Sequence, residues 1–282
     1  MQSVAIVGTG LIGASFGLAL REAGFAGPIV GVSSERAIAD AVSAGAIDRG
    51  LPLAEAVGQA DLVFLSQTIG RILDTIRHLD PLLRPGALVT DAGSTKCEIV
   101  DIARQHIARG QFLGGHPMAG KETRGAAVAE AGLFRGRTWA LTPDERAELE
   151  TPVAREYQFW LERIGARVMT VDCEMHDRMV ALYSHLPQLA STALASAVAE
   201  QGAHLPGVLS GPGLVDMTRL ALSSYDLWRD ILATNSEPIE RALAAYIQKL
   251  EHVRENLRSR VLKEEFASAA ELAGNVRGSG LR

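Results

Sequence analysis

The sequence predicts an α/β fold in which a doubly wound, mostly parallel sheet precedes an all-helical C-terminal half. Before Asp172, short β-branched runs alternate with longer helical patterns, and no convincing strand follows that residue. Such alternation is typical of βαβ units, whose crossover helices cover both faces of a sheet. With 282 residues, 47% of them hydrophobic, the chain is long and apolar enough for two domains. We expect domains at 1–172 and 173–282.

Each element follows from its local pattern. The predicted strands are short apolar runs at Val4–Val7, Ile29–Val32, Leu62–Ser66, Leu88–Asp91, Phe112–Gly115, Trp139–Leu141 and Arg167–Val171. The predicted crossover helices carry apolar residues at three- and four-residue spacing, at Leu11–Ala23, Glu35–Ala44, Arg71–Leu79 and Thr95–Ala108. Helices are also expected at Glu174–Glu200, Tyr225–Thr234 and Pro238–Arg260, with a loop at Gly202–Gly213 and a disordered tail from Gly274.

Composition and charge argue against nucleic acid, membrane and metal as partners. The net charge of -5 argues against a nucleic-acid groove, which needs clustered Lys and Arg. No apolar run is long enough to span a membrane, and the first residues read into a strand, so we expect a cytoplasmic protein. Cys97 and Cys173 lack the spacing of a zinc site, and no metal is expected. The expected partner is a small molecule.

The helical half predicts self-association. One of its helices carries Ala190, Leu194, Ala195 and Val198, and the half as a whole is too apolar to be covered by its own fold. We therefore expect a homodimer formed through this half. The alternative is a helical domain that packs only on its own N-terminal domain.

A glycine motif follows the first strand. Gly8, Gly10 and Gly13 form GxGxxG between a predicted strand and a helix that begins at Leu11 and Ile12, which is the fingerprint of a Rossmann dinucleotide-binding domain. Gly8 permits the tight turn, Gly10 lets the backbone approach the pyrophosphate, and Gly13 lets helix and strand pack closely. The free N–H groups of the helix then face the phosphates.

The end of the second strand bears on cofactor choice. NAD-preferring enzymes place an acidic residue there, whereas this chain has Ser33, Ser34, Glu35 and Arg36. Hydroxyl groups and a guanidinium suit a 2′-phosphate, so the sequence favours NADP. If Ser33 is instead a helix N-cap and Arg36 a solvated side chain, NAD remains possible.

Polar residues follow two later strands and recur in the helical half. They are Asp91-Ala-Gly-Ser94-Thr-Lys96, Gly114-Gly115-His116-Pro117-Met118-Ala119-Gly120 and Ser184-His185-Leu186-Pro187. Open α/β sheets bind ligands at the carboxyl ends of their strands. A histidine on a constrained loop can be approached closely, which makes His116 a candidate general base. The alternative is a buried histidine satisfied by backbone carbonyls.

These segments carry a resemblance over nearly the whole chain. The sequence resembles the prephenate and arogenate dehydrogenases of tyrosine biosynthesis in the runs GTGLIGASFGLAL, DAGSTK, GGHPMAG and SHLP, and in Gly213-Leu-Val-Asp-Met-Thr-Arg219 followed by Leu227-Trp228-Arg229-Asp230-Ile231. Each run alone is weakly specific, whereas their order and spacing are specific.

The resemblance implies an activity and residue roles. The implied reaction is oxidative decarboxylation of a cyclohexadienyl ring, from prephenate to 4-hydroxyphenylpyruvate or from arogenate to tyrosine. His116 matches the family's active-site histidine and would accept the proton of the ring hydroxyl, while Ser94 would hydrogen-bond that hydroxyl or His116. Arg219 matches an arginine that pairs with a substrate carboxylate, and His185 would form a polar wall of the pocket.

Two positions depart from the pattern. Some prephenate-specific relatives carry a second histidine and a lysine where this chain has Gln188 and Val215. Gln188 is thus expected in the substrate pocket, and the choice between prephenate and arogenate stays open. His176 and Asp177 also match the family, but we interpret them as capping or pinning their helix.

Two other functions compete with this interpretation. Other two-domain Rossmann dehydrogenases, such as β-hydroxyacid dehydrogenases and pyrroline-carboxylate reductases, do not explain GGHPMAG together with SHLP. A non-catalytic dinucleotide sensor would keep the glycines but would have no need of His116, Ser94 and Arg219 together.

Overall fold

The computed structural model describes residues 1–121, 123–202 and 210–278. Its N-terminal half contains strands β1 (Val4–Val7), β2 (Ile29–Val32), β3 (Arg49–Gly50), β4 (Leu62–Leu65), β5 (Leu88–Asp91), β6 (Gln111–Pro117), β7 (Thr138–Thr142) and β8 (Arg167–Thr170). They form one sheet in the order β3-β2-β1-β4-β5-β6-β7-β8. All neighbouring pairs are parallel except β6 and β7. The predicted mostly parallel sheet is confirmed.

The strand order reverses at β1. The chain moves outward from β1 through β2 to β3, then returns to β4 on the other side of β1 and continues to β8. In an open α/β sheet, such a switch point leaves a crevice outside the carboxyl ends of the central strands. The glycine loop after β1 therefore lies where this architecture binds ligands.

Helices cover both faces of the sheet. They are α1 (Leu11–Glu22), α2 (Glu35–Ser43), α3 (Leu53–Gly58), α4 (Ile69–Leu79), α5 (Cys97–His106) and α6 (Pro152–Arg163). Alternate residues of β1 enter two separate cores, because successive strand side chains point to opposite faces. Val4 and Ile6 pack in one core, and Ala5 and Val7 pack in the other. The doubly wound arrangement is confirmed, with α3 and α6 added to the helices that periodicity indicates.

The C-terminal half is helical, as predicted. It contains α7 (Cys173–Val180), α8 (Leu186–Gly202), α9 (Pro212–Thr218), α10 (Tyr225–Thr234), α11 (Ser236–Glu255) and α12 (Leu262–Gly278). The single helix expected at Glu174–Glu200 is wrong in one respect, because a π-helical turn, Ala181–His185, separates α7 from α8. π-Turns inside helices occur frequently at functional sites.

Two loop predictions need correction. The loop expected at Gly202–Gly213 is too long, because Gly202 ends α8 and Pro212 begins α9; positions 203–209 lie outside the described residues. The tail expected to be disordered from Gly274 is helical as far as Gly278, the last residue of α12, and positions 279–282 again lie outside the description. Among the described residues, no helix combines the length and apolar character needed to cross a membrane.

Candidate active site

The glycine loop combines two packing glycines with one that faces open space. Gly8 has φ +100°, and a Cβ there would lie 2.7 Å from the carbonyl oxygen of Ser66. A Cβ on Gly13 would meet the carbonyl oxygen of Gly8. A Cβ on Gly10, in contrast, would have no heavy atom within 4 Å. Packing within the protein therefore explains Gly8 and Gly13, whereas Gly10 meets no packing constraint and leaves room for a ligand.

The start of α1 supplies donors to that space. Gly10 is the N-cap of α1, so no side chain caps the first N–H groups, and the first turn, which begins with Leu11 and Ile12, contains no acidic residue. Unsatisfied N–H groups and the positive end of the helix dipole favour an anion. The loop therefore fits a dinucleotide pyrophosphate.

The second strand ends in an exposed polar segment. Ser33, Ser34 and Arg36 are all exposed. Ser34, not Ser33, is the N-cap of α2, because its hydroxyl accepts a hydrogen bond from the Ala37 N–H at 3.4 Å. The N-cap reading of Ser33 is thus wrong by one residue. Arg36 forms no ion pair with the part of the chain that the structure describes, so its guanidinium can contact a ligand.

A fully buried ion pair lies beneath the loop that follows β5. The Lys96 ammonium contacts the carboxylate of Asp91 and donates to the Gly115 carbonyl at 2.8 Å. Asp91 also accepts the N–H groups of Gly93 at 2.8 Å and Gly115 at 3.1 Å. Burial, partly offset by Asp91, lowers the pKa of Lys96. These bonds connect the Ser94 loop to β6, the strand that carries His116.

His116 lies near the end of β6 and is only 8% exposed. Its Nδ1 lies 2.9 Å from Nε2 of His176, and Nδ1 of His176 lies 2.8 Å from Oδ1 of Asp177. Burial holds the pKa of His116 well below its usual range, and the nearby His176, Lys96 and His185 lower it further. The ring is therefore neutral near pH 7 and available as a base.

Ser94 does not bond His116, which leaves the substrate hydroxyl as its expected partner. Ser94 is half-buried and forms no hydrogen bond with the described residues. It lies on the loop between Asp91 and Lys96, whose backbone is held by Asp177. The Asp177 carboxylate accepts the N–H groups of Lys96 at 2.7 Å and Cys97 at 2.9 Å. Asp177 thus pins α7 against the N-terminal half, as expected.

The helical half contributes two buried polar side chains. His185 ends the π-turn, and its Nδ1 lies 3.2 Å from Nδ2 of Asn235. Burial lowers the pKa of His185 to about 4. Gln188, one turn later, donates to the carbonyl of Leu220 at 2.8 Å. Gln188 therefore holds the 3₁₀ turn Arg219–Leu222, on which Arg219 is exposed.

Sequence reasoning missed two contributors to this site. Lys96 was noted only as part of a motif, and its burial beside Asp91 could not be inferred from spacing. Asn235, which donates to the carbonyl of Asp177 at 2.8 Å, carries no signal in the sequence. The match of His176 to the family was the available signal for its contact with His116. No group of His, Cys, Asp and Glu in the described residues could hold a metal ion.

The fold and site define a class of protein. A Rossmann sheet with an unobstructed glycine loop, a buried neutral histidine at the same edge and a helical second half are the parts of a two-domain dehydrogenase. Residues 16–170 match the family described as prephenate dehydrogenase, nucleotide-binding domain, and residues 172–269 match prephenate dehydrogenase, dimerization domain. The chain belongs to the prephenate dehydrogenase family, and with it to the dehydrogenases of tyrosine biosynthesis.

Individual relatives agree with this family. A prephenate dehydrogenase of Lactococcus lactis is 31% identical over 242 residues, which cover 84% of this chain and 66% of that protein. The structure of prephenate dehydrogenase from Aquifex aeolicus, in complex with hydroxyphenyl propionate and NAD+, is 30% identical, with a TM-score of 0.86 over 98% of this chain and 97% of that one. Synechocystis arogenate dehydrogenase is also 30% identical, with a TM-score of 0.77 over 98% of both chains.

Proposed function

We propose that this protein catalyses the oxidative decarboxylation of a cyclohexadienyl substrate, prephenate or arogenate, with a nicotinamide dinucleotide as hydride acceptor. The observation that carries the proposal is His116, a buried and neutral imidazole on a strand whose carboxyl end shares an edge with the glycine loop. A sensor of dinucleotides would need the loop but not this base.

His116 accepts the proton of the ring hydroxyl. Its low pKa keeps the imidazole unprotonated near pH 7, which a general base requires. Ser94 donates to or accepts from the same hydroxyl and orients it toward His116. The bound nicotinamide supplies the chemistry of a hydride acceptor at the carbon that carries the hydroxyl. Loss of the ring carboxylate as CO2 makes the ring aromatic and the reaction irreversible.

The helical half binds the rest of the substrate. Arg219 pairs with a substrate carboxylate, for which a guanidinium offers two parallel donors. His185 and Gln188 form polar walls, and their bonds to Asn235 and Leu220 keep them rigid. Relatives named for each substrate are equally identical to this chain, so the assay includes both prephenate and arogenate.

NADP is the proposed cofactor, supported by exposed Ser33, Ser34 and Arg36 at the end of β2. The Aquifex aeolicus relative holds NAD+. The test is Arg36→Ala, with Arg146→Ala on a distant turn as the control. Because a hydrogen bond to a charged group contributes about 1.5–3 kcal/mol, Arg36→Ala should lower kcat/KM for NADP about 10- to 150-fold. An equal loss with NAD would contradict an Arg36 contact to the 2′-phosphate.

The proposed assembly is a homodimer through residues 173–282, with the domain boundary after Asp172. Large apolar side chains of this half are exposed in the single chain, including Tyr183, Leu222, Tyr225, Leu257 and Phe266. Where such side chains form a contiguous surface, a partner is expected to cover it. Light scattering should give twice the 30.0 kDa mass of one chain, and a monomer at micromolar concentration would contradict the proposal.

The activity is tested with prephenate and arogenate, each with NAD and NADP, by the absorbance of the reduced nicotinamide. At least one combination should turn over. His116→Asn should lower kcat by about 100-fold or more, because that is the usual contribution of a general base. His106→Asn, an exposed histidine on α5, is the matched control. Folded protein that is silent in all four combinations, yet binds a dinucleotide, would favour the sensor.

A further inference from the structure

A chain of two buried hydrogen bonds leads away from the proposed base. It runs from His116 Nδ1 to His176 Nε2, and from His176 Nδ1 to Asp177 Oδ1. We infer that His176 and Asp177 are positioning residues that hold neutral His116 in the tautomer with its proton on Nδ1, which leaves the lone pair of Nε2 to act as the base. This inference rests on the proposed function for the role of His116, but the tautomer itself can be measured without turnover.

The direction of donation in these two hydrogen bonds follows from Asp177. An ionised carboxylate only accepts hydrogen bonds, so Nδ1 of His176 must carry a proton. Burial acts to raise the pKa of Asp177, but hydrogen bonds from His176 and from the N–H groups of Cys97 and Lys96 lower it. We take His176 as the neutral imidazole, so that its Nε2 is an acceptor and the facing Nδ1 of His116 is the donor.

The position of Asp177 fixes this direction of hydrogen-bond donation. Its two oxygens already accept the backbone N–H groups of Lys96 and Cys97, so the carboxylate cannot rotate away from His176. His176 and Asp177 are both buried, and water does not compete for the bonds. Other ionisable groups near His116 are Lys96, paired with Asp91, and His185. Neither of these is hydrogen-bonded to His116, so they do not select its tautomer.

The same chain keeps its direction when the base is protonated. When Nε2 of His116 takes the substrate proton, Nδ1–H remains donated to His176, and the negative charge of Asp177 lies one ring further on. In the Ser-His-Asp triad, a carboxylate bonded directly to the base holds the correct tautomer and stabilises the imidazolium. Here a second imidazole separates the carboxylate from the base.

The experiment compares His176→Leu with His176→Gln. Leucine fills the space but offers no acceptor, whereas the amide oxygen of glutamine can still accept from His116 Nδ1. We expect kcat with a saturating substrate to fall about 10- to 100-fold in His176→Leu, the range found when hydrogen-bond partners of metal-ligating histidines are removed. KM should change little, and His176→Gln should recover most of the loss.

Ring ¹⁵N NMR of the unliganded protein gives a readout independent of activity. The His116 signals are assigned by their loss in His116→Asn. Wild type and His176→Gln should show the Nδ1–H tautomer, and His176→Leu should shift toward Nε2–H. Wild-type protein with His116 protonated on Nε2 would overturn the inference even if a variant fails to fold. Unchanged kcat and tautomer in folded His176→Leu would also overturn it. A correct tautomer in a protein without turnover would instead refute the proposed function.

Discussion

Gly10→Ala separates ligand binding from folding at the glycine loop. Gly10 has φ −78° and ψ −160°, a conformation that alanine adopts without strain. An added Cβ would have no protein atom within 4 Å. The free energy of unfolding should therefore change by less than about 1 kcal/mol. Any change should be a small increase, because alanine lowers the conformational entropy of the unfolded chain.

The added methyl group occupies the space proposed for the pyrophosphate. Forcing an extra methyl group into a filled site costs about 1–3 kcal/mol, which corresponds to a dissociation constant about 5- to 150-fold larger. Calorimetric titration with NAD and NADP measures the affinity, and denaturant unfolding without ligand measures stability.

Two further glycines provide controls. Gly13→Ala places its Cβ against the backbone of Gly8 and should lower both stability and affinity. Gly274→Ala, in α12, also meets open space and should leave affinity unchanged. If Gly10→Ala binds both dinucleotides as tightly as wild type, the pyrophosphate does not pass Gly10. If it instead unfolds as readily as Gly13→Ala, the space is not open, and the reasoning fails on the fold itself.

Three other predictions concern the buried charges and the substrate contact. Lys96→Met should lower the free energy of unfolding, measured in urea, by about 3–5 kcal/mol, because the Asp91 carboxylate is left buried without its cation. A loss below about 1 kcal/mol would mean that water reaches Asp91. Since burial lowers the pKa of His185 to about 4 from its usual 6.5, the unfolded chain takes up the proton first, and stability should fall by about 3 kcal/mol between pH 6.5 and 4. His185→Gln should make the free energy of unfolding depend less on pH over this range. Arg219→Ala should raise the substrate KM and leave kcat largely unchanged, whereas an effect on thermal stability alone would assign Arg219 to a structural role.

Local patterns predict most of the N-terminal half. Glycine spacing after Val4–Val7 and the alternation of strands with amphipathic helices identify the Rossmann sheet, and the strands begin and end within two residues of expectation. The two-residue strand β3 has too little pattern to detect. The helix at Pro152–Arg163 was missed although Thr151 caps it and proline begins it. The π-turn was missed because one inserted residue does not disturb apolar spacing enough to be seen.

The site was predictable only where residues lie in one motif. Ser94 and His116 each stand in a short polar run after a strand, which locates them at the carboxyl edge of the sheet. The partner of His116 is 60 residues away, and that of Lys96 is at the base of its own loop. Such contacts depend on tertiary packing, not on spacing. A capping or pinning role was expected for His176 and Asp177, and both connect α7 to the N-terminal half, Asp177 through the start of α5 and His176 through His116 on β6.

Two carboxylates of the helical half bind free N–H groups at the start of helices in the Rossmann half. Asp177 accepts the first N–H groups of α5, and Asp230 accepts the Gly70 N–H in the first turn of α4 at 3.0 Å. Neither helix is capped by its own N-cap side chain. A carboxylate at a helix N-terminus satisfies free donors and complements the helix dipole. Because the Ser94 loop leads into α5, Asp177 links the position of the helical half to that of the proposed catalytic loop. In the proposed function, this link lets substrate contacts in one half align the reacting groups in the other.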